Sequence, residues 1–111
     1  MEISERQVNQ ITVIDLKGMA TISGSFARLQ QIVDERLRAG NRQFVINLAE
    51  CTWMDSSGLG ELVRVLVRIM REGGKLKLAE VPGKVRGLLE ITNLTQIFEN
   101  FEHEQSALDS F

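Results

Sequence analysis

Several kinds of residue are scarce in this chain, and each scarcity removes a class of function. A single cysteine, Cys51, among 111 residues excludes an internal disulfide and suits a reducing compartment. The only histidine, His103, lies in a polar C-terminal stretch. It leaves no His/Cys/carboxylate cluster with metal-ligand spacing and no base beside a serine nucleophile. There is no Gly-x-Ser-x-Gly elbow and no Gly-x-x-x-x-Gly-Lys phosphate loop. The expectation is a non-enzyme with no catalytic residue, no metal and no cofactor. Basic residues are not in excess: 13 Lys and Arg stand against 15 Asp and Glu, for a net charge of -2. That balance argues against nucleic acid, whose backbone demands a basic face. No apolar run approaches the roughly 18 residues that span a bilayer, so no membrane insertion is expected. Met1 to Arg6 is polar and charged and lacks the basic-then-apolar layout of a secretion signal, which points to the cytoplasm. With one proline, Pro82, no repeat and no linker-like tract, residues 1–111 read as one domain.

Hydrophobic residues at 43% and charged residues at 25% are ordinary for a globular domain with one sizeable core. Ile3 to Val8 is a weak strand. Ile11 to Lys17 is β-branched and nearly continuously apolar, as expected of a strand covered on both faces. Asn9-Gln10 between them is short enough for a hairpin. A first helix is predicted to about Ala39, capped by Ser23 or Ser25. Phe26, Leu29, Ile32, Val33 and Leu37 form its core face, and Gly40-Asn41 stops it. Gln43 to Leu48 is a buried strand. The second helix runs from about Ser57 to Glu72, with a core stripe of Leu59, Leu62, Val63, Leu66 and Met70. Val65, Val67 and Ile69 fall outside that stripe, and Val65 and Ile69 are expected to extend a partner surface. Gly73-Gly74 ends the helix, and Lys75 to Ala79 is the next strand. Val85, Leu88, Leu89 and Ile91 mark a third helix, Ile97 to Phe101 a last strand, and Glu104 to Ser110 a terminal helix. Strands alternating with helices imply an α/β fold. The expected sheet is mostly parallel and mixed, with four to five strands, an antiparallel N-terminal strand, right-handed crossovers and helices packed on it.

In such sheets, sites form where the C-terminal end of a strand meets the next helix. Here that place is Ala49 to Gly60, and Asp55-Ser56-Ser57-Gly58-Leu59-Gly60 stands out within it. A helix N-terminus offers free N–H groups and a positive dipole end. Two hydroxyls and a carboxylate gather there, and Gly58 and Gly60 weaken the first turn in a way that suggests close approach by another surface. A plain helix cap and small-residue packing account for the same residues. Spacing alone does not separate the two readings. Gly18 and Gly24 read as turn residues. A phosphoacceptor aspartate at Asp55, as in response-regulator receivers, is disfavoured. Asp15-Leu-Lys-Gly-Met-Ala-Thr21 holds one acid followed by Lys17 and cannot build the required Mg²⁺ site.

Trp53-Met-Asp-Ser-Ser-Gly-Leu-Gly60 resembles the signature of the STAS domain family, specifically its bacterial anti-sigma factor antagonists. Phe44 to Trp53 resembles the family's buried strand and the loop leading to the motif. Gly73-Gly74-Lys75, Val85 to Leu94, and Ile97, Phe98 and Phe101 fit its later turn, helix and tail, so the likeness covers nearly the whole chain. It implies a switch. The unmodified protein binds an anti-sigma factor that is also a serine kinase, and so releases the sigma factor. The kinase phosphorylates the serine after the aspartate, here Ser56, and a serine phosphatase resets it. The resemblance places Asp55, Ser56, Ser57, Gly58, Leu59 and Gly60 on the partner-binding surface, together with Thr21. Many relatives carry an aspartate after the second strand in a Gly-x-Leu-Asp pattern that helps docking; this chain reads Gly18-Met19-Ala20-Thr21. Trp53 replaces a smaller hydrophobe and is expected to anchor in the core. STAS domains also serve as accessory subunits docking on the ATPase of lipid-transporting ATP-binding cassette systems, which is the alternative function.

Overall fold

In the computed structural model, which describes residues 1–21 and 26–111, the β-branched runs form the strands at the centre of the molecule. The first strand, β1 (Glu2–Val8), turns back through Asn9 and pairs antiparallel with β2 (Ile11–Ala20). Asn9 takes a left-handed conformation at φ 57°, which asparagine tolerates better than most residues. Beyond β2 the chain alternates. Helix α1 (Phe26–Arg38) leads to β3 (Gln43–Asn47) and β4 (Cys51–Met54). Helix α2 (Ser56–Arg71) leads to β5 (Lys75–Ala79), and α3 (Gly83–Ile91) to β6 (Glu99–Phe101) and α4 (Glu104–Asp109). The sheet order is β1-β2-β3-β5-β6, and every pairing after β1 is parallel. The expected fold class therefore holds, with six strands among the described residues.

The additional strand is β4, which the sequence places in a loop. It has only four residues, two of them exposed, and its pairing comes from elsewhere. β2 outruns β3 and pairs its last residues, Gly18 to Ala20, with β4. Gly18 is consequently not a turn residue. It sits inside β2 at φ +97°, where the register with β4 shifts, and only glycine adopts that backbone readily. The caps expected at Ser23 or Ser25, and the turn at Gly24, lie outside the described residues.

Alternation along the central strands divides the core. Ile14, Leu16, Phe44, Ile46, Leu76 and Leu78 face α1, α2 and α3. Ile11, Val13, Val45 and Ala79 face the other way, under Ala107 and Leu108 of α4. The Arg6 guanidinium pins this second layer by bridging Asp15 and Glu104, and it holds the Glu104 carboxyl below its ordinary range. Buried Lys77 is also satisfied there. Its Nζ donates to Ser110 Oγ at 2.6 Å, pairs with Glu99 at 3.3 Å and lies 4.2 Å from the Phe111 ring centroid.

The helix faces bring two corrections. In α2, Val65 and Ile69 are core residues, whereas Met70 is 60% exposed and Val63 is half-buried. The buried row is Gly58, Leu62, Val65 and Ile69, one step round the helix from the expected stripe, with Leu59 and Leu66 beside it. Ile69 packs down onto Gly74, where a Cβ would lie 2.8 Å from its Cγ2 and 2.7 Å from the Arg42 carbonyl oxygen. The expectation that Val65 and Ile69 reach a partner therefore fails. In α3, Val85 and Leu89 are buried, but Ile91, at the helix end, is 83% exposed. The α1 face is as expected, from Phe26 to Leu37.

This orientation of α2 has a measurable consequence. Ile69→Ala should lower stability by about 2–5 kcal/mol through the cavity it leaves. Met70→Ala should change it by no more than about 0.5 kcal/mol. Urea unfolding of the two variants compares them directly, and equal losses would place Met70 in the core.

Candidate functional site

The segment that opens α2 is fixed by the end of β2. The Ala20 carbonyl accepts the Asp55 N–H at 3.3 Å, so β2 and β4 are tied together immediately before the helix. Asp55 is the N-cap, with extended backbone (φ -105°, ψ -176°). Its Oδ1 accepts the Gly58 N–H at 3.0 Å, and its carbonyl accepts the Leu59 N–H at 3.0 Å to begin the helical ladder. The carboxylate is thus engaged in holding the first turn.

Ser56 and Ser57 are the first two residues of α2, and both are exposed. Their backbone N–H groups are among those that a helix start leaves without an intrahelical partner. An exposed hydroxyl therefore stands at the positive end of a helix of 16 residues. The two glycines serve opposite purposes. A Cβ on Gly58 would lie 2.2 Å from the Ala20 carbonyl oxygen, so Gly58 lets α2 sit down on β2. A Cβ on Gly60 would meet nothing within 4 Å, and that position is open to solvent. The close approach inferred from the sequence is real at Gly58, and the approaching surface is the chain's own β2.

The structure brings the other expected residues to the same end of the sheet, with two changes of role. Thr21 directly follows Ala20 and is half-buried. Leu59 is only 2% exposed, so its side chain anchors the motif from beneath and offers no contact surface. Trp53 is not a core anchor. Cys51 and Met54 are the inward residues of β4, and Trp53 is 46% exposed. Its Cα partner across the β2–β4 pairing is Met19, 56% exposed, so two large apolar side chains lie exposed on adjacent strands before the start of α2. Sequence reasoning missed Met19 because its place depends on β2 outrunning β3.

The surroundings supply little chemistry beyond the hydroxyls. His103 caps α4 on the opposite face of the sheet from α2, so it cannot serve Ser56 as a base. Burial pushes the Cys51 thiol up, and its Sγ donates to the Trp53 carbonyl at 3.4 Å; such a thiol is a poor nucleophile. Among the described residues no group of three His, Cys, Asp or Glu is placed to hold a metal ion. No helix among them is long and apolar enough to cross a membrane.

The STAS domain model matches residues 2–107 of this chain, and the chain belongs to that family. A STAS-domain containing protein of Pseudomonas aeruginosa is 34% identical over 65 residues, which span 59% of this chain and 64% of that protein. A Thermotoga maritima protein, provisionally named an anti-sigma factor antagonist, is 30% identical over 78 residues, 70% of this chain and 69% of that one. A Thermotoga maritima crystal structure with the same provisional description superposes with a TM-score of 0.88 at 23% identity, over 97% of this chain and 92% of that one. The anti-sigma factor antagonist SpoIIAA in unphosphorylated form gives 0.81 at 19% identity, over 98% and 95%. The phosphorylated form, from Bacillus, gives 0.76 at 18% identity, over 98% of each chain.

The glycine pair gives a paired test. Gly58→Ala should cost about 1–3 kcal/mol or more, because the Ala20 carbonyl has to move. Gly60→Ala should raise stability by up to about 1 kcal/mol, because alanine is the better helix former and the space is free. Opposite shifts in thermal midpoint are expected; a destabilising Gly60→Ala would contradict the open space seen at that position.

Proposed function

We propose that this STAS domain is an anti-sigma factor antagonist. Unphosphorylated, it binds a serine-kinase anti-sigma factor and so frees the sigma factor. Phosphorylation of Ser56 switches it off, and a serine phosphatase restores it. The observation that carries this reading is the position of Ser56: an exposed hydroxyl at the first residue of α2, on a turn held by the Asp55 cap and seated on Ala20. The related names and the two solved forms of SpoIIAA support it.

The chain itself performs no chemistry in this scheme. Ser56 Oγ attacks the γ-phosphoryl group of ATP held by the kinase, ADP leaves, and the hydroxyl proton passes to a base of the kinase. Water, in the phosphatase, later takes the phosphoryl group back as inorganic phosphate. The added group carries about -1.5 to -2 charges. The helix N-terminus and the free amides of Ser56 and Ser57 favour that charge, while Asp55 opposes it. Because Asp55 already binds Gly58 N–H, the fold need not rearrange to admit the phosphate. The partner's surface meets the change instead, through repulsion and desolvation. Asp55 orients the loop, Ser57 and Gly60 form the contact surface with Ser56, Gly58 and Leu59 support it from below, and Thr21 borders it. All of this takes place in the cytoplasm.

Ser56→Ala should stay bound to the host's serine-kinase anti-sigma factor in the presence of ATP, while the wild-type chain is phosphorylated and released. A hundredfold loss of affinity, about 2.8 kcal/mol, would suffice. Binding by surface plasmon resonance before and after ATP addition reads the difference. Equal release of both proteins would remove Ser56 as the acceptor.

A further inference from the structure

We propose that the outer face of α2 below Ser56 receives an amphipathic helix of the partner, one that carries acidic side chains along one flank. This inference rests on the reading that the start of α2 meets the partner, and it names the chemistry of what is met there.

Three features of the face converge. Val63, Val67 and Met70 follow one another at spacings of four and three residues, so they form a stripe along α2. The stripe continues the line of Ser56, seven residues before Val63, and spans roughly 20 Å of helix from Ser56 to Met70. Val67 and Met70 are exposed and Val63 is half-buried, although the helix already has a complete inner face. This is the pattern of anchors by which a helix is recognised by another helix.

The charge beside the stripe has one dominant sign. Arg64, Arg68 and Arg71 line the neighbouring edge, and with Gly60, Val63 and Val67 they enclose a shallow hollow of about 420 Å³. Arg68 is already paired with Asp34 at 3.1 Å and Glu72 at 2.9 Å. Arg64 has only a loose pairing with Glu61 at 3.8 Å, and Arg71 has no ion pair among the described residues. Two guanidinium groups therefore remain to meet carboxylates, the partners whose planar geometry they match. Gly60, at the upper end of the hollow, presents no side chain, so another backbone can come close at the level of the switch.

The test uses the full chain and the host's serine-kinase anti-sigma factor. Val67→Asp and Arg71→Glu should each weaken binding at least tenfold. Arg71→Glu should recover when one acidic residue on the partner's contacting helix is changed to lysine. Both positions are exposed, so thermal melting should match wild type and separate lost contact from lost folding. Ser56→Asp serves as the reference. If Ser56→Asp abolishes binding while Val67→Asp and Arg71→Glu bind like wild type, the switch stands and the stripe is not a contact. If the wild-type chain fails to bind the kinase, the functional reading and this inference fall together. Sedimentation of the chain alone covers the remaining occupant: a dimer abolished by Val67→Asp would assign the stripe to a second copy and overturn the proposal.

Discussion

The carbonyl of Ala20 is the point on which the site depends. It ends β2, accepts the Asp55 N–H, and lies where any side chain on residue 58 would have to go. These contacts require β2 to extend past β3, which in turn requires the left-handed kink at Gly18 that hands β2 from one neighbour to the next. With β4 locked to that extension, the cap at Asp55 and the start of α2 have essentially one position available. Two hydrogen bonds and one absent methyl group thus fix where Ser56 is presented. None of them involves the serine itself.

This division explains what could be read in the sequence and what could not. Local signals were legible: the apolar strands, the α1 face from Phe26 to Leu37, and the Asp-Ser-Ser start of α2 all follow from propensity, periodicity and capping. The family likeness was legible in Trp53 to Gly60, and the domain model then matched nearly the whole chain. What was missed depends on contacts far apart in sequence. β4 has no signal of its own and exists because β2 has unpaired backbone to offer. Trp53 looked like a core residue because large aromatics usually are. Its side depends on the pairing with Met19, which no local pattern encodes. The α2 stripe was misdrawn by one step because Val63 and Met70 are as apolar as Val65 and Ile69. Only the seating of Gly58 and Gly74 decides which row faces the sheet.

The misdrawn stripe bears on the proposed contact. A helix that carries more apolar residues than its core face uses must leave some of them in water, and α2 leaves Val67 and Met70. Core packing does not require residues in those places; alanine or a charged residue would serve the fold as well. An apolar residue that the fold does not use, beside arginines it only partly neutralises, is what a surface retains when something else covers it.

The two halves of the molecule then have complementary tasks. Below the sheet, Arg6, Glu104 and Lys77 hold the terminal helix and keep the strands covered. Above it, α2 carries the exposed Ser56 hydroxyl at one end and the unused apolar stripe along its length. In the proposed switch, a charge added at Ser56 would meet a favourable dipole within the chain and an unfavourable dry surface outside it. The free energy of the proposed modification would therefore fall on the complex rather than on the fold. A site so rigidly seated cannot relay a change by rearranging, so the proposed switch would have to be read at the surface, by a partner that covers the first turns of α2.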